Sequence, residues 1–324
     1  MPGEALVRLY DLPPFEFQAA SPAVAVPPDG QDASVWSSAP LRVVHEPSAV
    51  PKGKSWVELR QGGAVFGRCA INSWGAGTVG PCEVAPDVDA GRRPQAHWTL
   101  MQLALERLRW LGYAYGLLDV QEFADQLPAA VENAVWWVPT GNTSLSAADR
   151  DDKSLEWADL FVDLRTWTPA GNAAALGVDG RSLCVRRPET SEQLLLTDWI
   201  RETFGGGWAS EVHRSFSRDP ISSVIIVDQD RDLPAKDRLL GFISYDTARL
   251  GMLSSIALAP SVRGHALAVA STLIEQCLSE ARDSGMPYAV LGGVSHRRQA
   301  LRLMGSLWTI PGSCPGIFGK GVRN

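Results

Sequence analysis

"SIALAPSVRGHALAVASTLIEQCL", residues 255 to 278, sets how the rest of the chain is read. An apolar run stops at Pro260, and the chain turns through Val262-Arg263-Gly264-His265. A stripe of apolar side chains follows at helical spacing: Ala266, Ala270, Leu273, Cys277 and Ala281, with Glu275, Ser279, Glu280 and Arg282 mostly elsewhere. The pattern predicts a strand, a tight turn and a helix. The first turn of a helix presents unpaired N–H groups and the positive end of the helix dipole, so this turn is either a plain joint or a seat for a phosphate. Small residues at Gly264, Ala266 and Ala268 and the cation of Arg263 suit a phosphate, but as a bare pattern they do not decide between the two.

The same plan occurs twice. "FGRCAINSWGAGTVGPCEVAPDV" (66 to 88) lies beside "LGFISYDTARLGMLSSIALAPSV" (240 to 262) without a gap, matching Gly67 to Gly241 and Pro86 to Pro260 at one offset (241 − 67 = 260 − 86 = 174). "LERLRWLGYAYGLL" then matches "LSEARDSGMPYAVL", with Gly112 against Gly285 (285 − 112 = 173), and "NAVWWVPTG" matches "GSLWTIPGS", with Pro139 against Pro311 (311 − 139 = 172). Near the start of each copy "LVRLYDLPP" (6 to 14) resembles "FVDLRTWTP" (161 to 169), so the second copy is longer early on. Its extra length carries a capping box from Thr190 to Gln193 and then Leu194, Leu195, Trp199, Ile200 and Phe204 at helical spacing. The corresponding part of the first copy is rich in Pro, Ser and Gly and reads as loop, which implies a lost helical pair. In the first copy "VELRQGGAVFGRCAI" reads as strand, and its helix places Trp98, Met101, Leu105 and Leu108 on one stripe.

Composition narrows the function classes. The 324 residues suffice for two domains, and 45% hydrophobic residues can build a core in each. A formal charge of −6 without long like-charge runs leaves no basic stripe for nucleic acid or anionic lipid. Cys69, Cys82, Cys184, Cys277 and Cys314 lack the spacing of a zinc site or a disulfide framework and fit a reducing compartment. The acids and prolines of "MPGEALVRLYDLPPFEF" do not suit a secretory signal, so a cytoplasmic location is expected, with no membrane partner.

The order "LLGFISYD", "MLSSIALAP", "SVRGHALAVASTLIEQCL", "MPYAVLGGV" resembles the GCN5-related N-acetyltransferase (GNAT) superfamily over residues 180 to 324 and, more faintly, over residues 1 to 145. "WASE", "GFISYD" and "IPGSCPGI" match a group of small members with a "WAxE" helix, a "GFxxYD" strand and an "IPGSxPGI" tail. The resemblance implies an α/β (α+β) chain of two tandem GNAT-like folds, each a mixed, mostly antiparallel twisted sheet flanked by helices. A degenerate domain lacking a helical pair would span 1–160, and a domain with the acyl-CoA site 161–324. Tandem members such as mycothiol synthase share this layout.

In the superfamily an Arg/Gln-x-x-Gly-x-Gly/Ala loop holds the pyrophosphate of an acyl-coenzyme A such as acetyl-CoA. The resemblance therefore places the cofactor on Val262, Arg263, Gly264, His265, Ala266, Leu267 and Ala268, with Ala266 where the pattern has its first glycine. Backbone amides at Ile256, Ala257 and Leu258 would meet the thioester carbonyl. The usual tyrosine acid has no counterpart in "SHRRQALRLMG" near Ala300 or Leu301. His296 stands in its vicinity as a proton donor or as a solvent-exposed residue, and Glu211 reads as the group that takes the amine proton or as a surface carboxylate. Trp208, Tyr245 and Asp246 would line the acceptor cleft, although Trp208 also suits the core and Asp246 a turn. In the first copy "DAGRRPQAHW" replaces the small residues, and a scaffold role follows. The implied activity is acyl-CoA-dependent N-acylation of a small amine, possible as a homodimer. The altered loop and missing tyrosine equally suit a catalytically silent fold that binds a ligand or partner, and a structural dimerisation module is a third reading.

Overall fold

The structure is a computed structural model and describes residues 4–12, 42–44, 54–61, 64–72, 76–119, 134–138, 157–169, 177–178, 180–294 and 307–314. The chain divides into two compact units, Met1–Thr140 and Gly141–Asn324. The expected boundary after residue 160 would cut the strand Ala158–Asp163, so the second unit starts earlier. The stretch "SHRRQALRLMG" (295–305) lies outside the described residues, as does most of the stretch read as a lost helical pair.

In the first unit the strands are β1 (Glu4–Arg8), β2 (Arg42–Val44), β3 (Lys54–Gln61), β4 (Ala64–Asn72), β5 (Thr78–Val84), β6 (Tyr115–Asp119) and β7 (Val135–Trp137). They form one sheet in the order β2-β3-β4-β5-β6-β1-β7, antiparallel except for β5 beside β6. The stretch read as one strand forms two, β3 and β4, which pair antiparallel. Helix α1 (Arg93–Leu111) packs on β4 and β5 through Leu100, Met101, Ala104, Leu105 and Leu108, while Trp98 stays half-buried. Gly112 closes it in the left-handed conformation (φ 99°), where a side chain would be strained.

The second unit holds β8 (Ala158–Asp163), β9 (Gly177–Val178), β10 (Arg181–Arg186), β11 (Ser223–Asp228), β12 (Leu239–Tyr245), β13 (Met252–Leu258), β14 (Tyr288–Val294) and β15 (Trp308–Thr309), in the order β15-β8-β14-β13-β12-β11-β10-β9. Again a single neighbouring pair, β13 and β14, is parallel. The run "SVIIVD" of β11 is buried throughout because helices cover both faces of the sheet. Helix α4 (Ala266–Asp283) covers one face with Val269, Leu273, Ile274, Cys277 and Leu278; its buried face is rotated from the expected stripe, leaving Ala266 and Ala270 only half-buried. Helices α2 (Gln193–Phe204) and α3 (Gly206–Ser215) cover the other, where Trp199, Phe204 and Trp208 surround Phe242. The capping box sits one residue earlier than expected, between Glu189 and Glu192, since Arg186 grips the Glu192 carboxylate at 2.7 Å and fixes the entry. Leu194 is consequently turned out to solvent.

The two sheets repeat residue for residue. Leu6 opposes Leu117 and Trp136, while Phe161 opposes Val290 and Trp308; these are the same positions at the offsets found in sequence (161 − 6 = 155, 290 − 117 = 173, 308 − 136 = 172). Gly67 opposes Val84 as Gly241 opposes Leu258 (241 − 67 = 258 − 84 = 174). Both glycines lie beneath the helix, where an added Cβ would come 2.9 Å from the Glu83 carbonyl and 3.0 Å from Leu100, or 3.1 Å from the Ala257 carbonyl and 2.7 Å from Leu258. Gly67→Ala and Gly241→Ala should each destabilise the protein by about 1–3 kcal/mol, read as a fall in the denaturant midpoint; unchanged midpoints would show that helix and sheet are not this close.

Candidate functional site

The duplicated frame carries a duplicated irregularity. Ile243 opposes Ile256 and Tyr245 opposes Leu253, so Ser244 alone faces two residues, Ser254 and Ser255, and β13 bulges there. In the first unit Ala70 faces Gly80 and Pro81 at the same offset (254 − 80 = 174). A bulge bends and twists its strand, and β13 parts from β14 just there: among the described residues the parallel pairing consists of Met252 with Val290 and Leu253 with Leu291. Beyond the bulge the Ala259 N–H donates to the Leu240 carbonyl at 2.8 Å. Alternation then turns the N–H of Ala257 toward β12 and those of Ile256 and Leu258 to the opposite edge, which β14 has left. Of the three amides expected to meet a carbonyl, two point into the gap and Ala257 does not.

The strand runs from this gap into the turn. Pro260–His265 form a 3-10 turn, and α4 begins at Ala266. Val262 is wholly buried and its N–H is held by the Ala259 carbonyl at 3.1 Å, which ties the turn to the core. Gly264, His265, Leu267 and Ala268 are exposed and Ala266 half-buried. No side-chain hydrogen bond caps the helix start and its first turn holds no acid, so no carboxylate offsets the helix dipole there. A Cβ added to Gly264 would meet nothing within 4 Å.

The first unit closes the same turn on itself. The Asp89 carboxylate takes the Gly91 N–H at 2.8 Å, and the Asp89 carbonyl takes those of Arg92 and Arg93. Arg93 folds its guanidinium back onto the Val88 and Pro86 carbonyls at 3.0 and 2.6 Å, and Pro94 removes one further donor.

On the α3 face of the second sheet lies a row of hydroxyls. Ser215 on α3 accepts from Ser223 on β11 at 2.7 Å, and Ser223 is the cross-strand partner of Ser244. The Ser244 hydroxyl meets Ser255 at 2.7 Å and Ser254 at 3.2 Å, and Thr247 meets Ser254 at 2.8 Å. Trp208, Glu211 and Ser215 follow one another at i, i+3 and i+7 along α3, so Glu211 lies between the tryptophan over Phe242 and the serine on Ser223. One Glu211 oxygen, Oε2, is buried and, among the described residues, has no hydrogen-bond partner. Trp208 packs against Phe204 and Phe242 but keeps 40% of its surface exposed, so it serves the core and leaves an edge available. The hydroxyl row escaped sequence reading because serines scattered over 215–255 converge only once three strands and a helix are assembled.

Tyr245 and Asp246 are placed differently from expectation. Tyr245 points to the opposite face, where its hydroxyl lies 3.5 Å from the Glu280 carboxylate that Arg187 also grips, and burial pushes its ionisation up. Asp246 takes a left-handed conformation (φ 55°) and accepts the Gly251 N–H at 2.6 Å, while its carbonyl accepts Arg218 at 2.9 Å. It is the anchor of the β12–β13 hairpin. His296 lies outside the described residues, as does the side chain of Arg263. No helix among the described residues is long and apolar enough to cross a membrane.

No family model matches the chain, and no curated protein does. Solved structures similar to it include the GCN5-related glucosamine N-acetyltransferase region of a fungal multi-domain GH3 β-N-acetylglucosaminidase, at 15% identity and a TM-score of 0.38 over 80% of this chain and 32% of that one. This chain thus spans about a third of that protein's length. A tandem GNAT protein from the clavulanic acid biosynthesis pathway shares 14% identity and a TM-score of 0.33 over 80% of this chain and 81% of its own. A GCN5-related N-acetyltransferase from Sphaerobacter thermophilus shares 13% identity and a TM-score of 0.34 over 81% and 80%. At these TM-scores the fold rests on the duplicated registers and not on the likeness.

Burial pushes the Asp246 carboxyl up to about 6, against the opposing pull of the Gly251 N–H and of Arg218. The folded protein therefore binds this proton more tightly than the unfolded chain does, and stability is lost as pH rises from about 4 to about 6. Asp246→Asn keeps the acceptor oxygen and the left-handed preference without the charge. It should match the parent near pH 4 and exceed it above pH 6 by about 1–2 kcal/mol in denaturant titrations; a less stable variant at pH 7 would show that the charge itself is needed.

Proposed function

We propose that the second unit binds an acyl-CoA and transfers its acyl group to a small amine. One observation carries the reading: a strand edge with two outward N–H groups leads directly into a helix start that has no cap, no acid and open space at Gly264. A pyrophosphate suits the positive end of a helix with small residues around it, and a thioester carbonyl needs the fixed donors just before it. The turn and helix start from Arg263 to Ala268 would hold the pyrophosphate, with buried Val262 anchoring the turn, and the N–H groups of Ile256 and Leu258 would face the carbonyl oxygen. The bound group supplies an activated acyl carbon and a thiolate that leaves readily.

The residues of this chain supply the rest. Glu211, with a buried oxygen free to accept, takes the proton of the incoming ammonium, directly or through a water. The exposed edge of Trp208 lines the entry. His296, which follows β14 closely in sequence, is the candidate that returns a proton to the leaving thiolate in place of the family's tyrosine. The first unit serves as a scaffold, since Asp89 takes the N–H groups of Gly91, Arg92 and Arg93 and Pro94 has none to offer. The methyl group of Ala266, where the family pattern has glycine, favours the alternative of a silent ligand-binding fold, and binding measurements separate the two.

Calorimetric titration with acetyl-CoA and with free CoA should show one site per chain. Gly264→Glu, which fits the open space but adds a carboxylate, should weaken it more than tenfold, while Arg92→Ala leaves it unchanged. Absence of binding in the parent protein would overturn the proposal. Glu211→Gln should lower CoA release from acetyl-CoA with a panel of small primary amines by about 10²-fold, most at low pH where the amine stays protonated, with acetyl-CoA affinity intact. Equal rates across pH would remove Glu211 from the chemistry.

A further inference from the structure

β4 and β5 bring two thiols face to face. Cys69 opposes Cys82 directly in the antiparallel register, immediately beside the bulge at Gly80 and Pro81. Their sulfurs lie 2.7 Å apart, with the Cys82 thiol donating to the Cys69 sulfur. Cys69 is wholly buried, whereas Cys82 is half-buried and reachable from solvent. Directly opposed antiparallel residues have Cα atoms roughly 4.5–5.5 Å apart, within the roughly 4.4–6.8 Å that a disulfide spans. Side-chain rotation is then enough to close the bond. The second unit has Ile243 and Ile256 at the same two positions (243 − 69 = 256 − 82 = 174), so the sulfur pair belongs to the first unit alone.

We propose that Cys69 and Cys82 are a modification site that a peroxide converts reversibly to a disulfide. The Cys82 thiolate attacks a peroxide oxygen; the O–O bond breaks, hydroxide leaves and takes up the proton that Cys82 lost, and Cys82 becomes a sulfenic acid. The Cys69 sulfur then attacks the Cys82 sulfur, the S–O bond breaks, and the leaving oxygen takes the Cys69 proton as water. Two thiols lose two electrons and two protons, and hydrogen peroxide becomes two waters. Cys82 acts first because it is the accessible thiol; the neighbouring Cys82 sulfur and burial hold the Cys69 proton more tightly, which suits a resolving thiol. In a reducing compartment the pair rests as thiols. The bond fastens β4 to β5 beside the bulge, so oxidation stiffens the first unit.

The test treats the folded full-length protein with stoichiometric hydrogen peroxide, quenches it with catalase, unfolds it in acid and alkylates the remaining thiols. Two of the five thiols should be lost, with a peptide linking Cys69 to Cys82 and recovery of both after dithiothreitol. Cys82→Ser should form no intramolecular link at the same dose. Five alkylated thiols, a link to another cysteine, or Cys82 driven to sulfinic acid without a link would each overturn the proposal.

Discussion

A parallel strand pair that lets go after two residues is the feature on which the rest of this protein depends. Parallel neighbours normally stay bonded along their length, since an unpaired edge inside a sheet leaves N–H and C=O groups without partners. Here β13 carries an extra residue opposite Ser244, and the added twist turns its edge away from β14. β14 is meanwhile drawn toward β8: the buried Asp159 carboxylate takes the Gly293 N–H at 2.7 Å, and the Asp159 carbonyl takes that of Ile310 at 3.0 Å. The gap is thus held open from both sides.

The two units show how one frame can be left open or closed. Where the first unit has Ala70, Gly80 and Pro81 at its bulge, the second has Ser244, Ser254 and Ser255, whose hydroxyls satisfy one another. Where the first has Asp89, Arg93 and Pro94 at the start of its helix, the second has a 3-10 turn followed by small residues. The asymmetry in the turns points the same way as the asymmetry in the bulges.

Much of the architecture was legible because the duplication is written in residues that the sheet cannot exchange. Gly67 and Gly241 lie where a helix presses on a strand, and a side chain there meets a backbone carbonyl. Val262 and the proline before it mark where the strand ends and the helix is anchored. The site was legible only in part. Tyr245 ends β12 facing Glu280 and Asp246 turns left-handed into the hairpin, so the expectation that both face one cleft could not hold. The capping box slipped by one residue because Arg186, on a neighbouring strand, decides which glutamate is held.

By itself the sequence determined the two copies, the strand–turn–helix order in each, and the small residues that leave the second turn open, because periodicity and glycine placement are local properties. The tertiary structure decided which N–H groups face the gap, that Glu211 shares a helix face with Ser215 and Trp208, and that Cys69 meets Cys82. Those facts depend on strand register and on a single inserted residue, and a shift of one position sends every side chain to the other face.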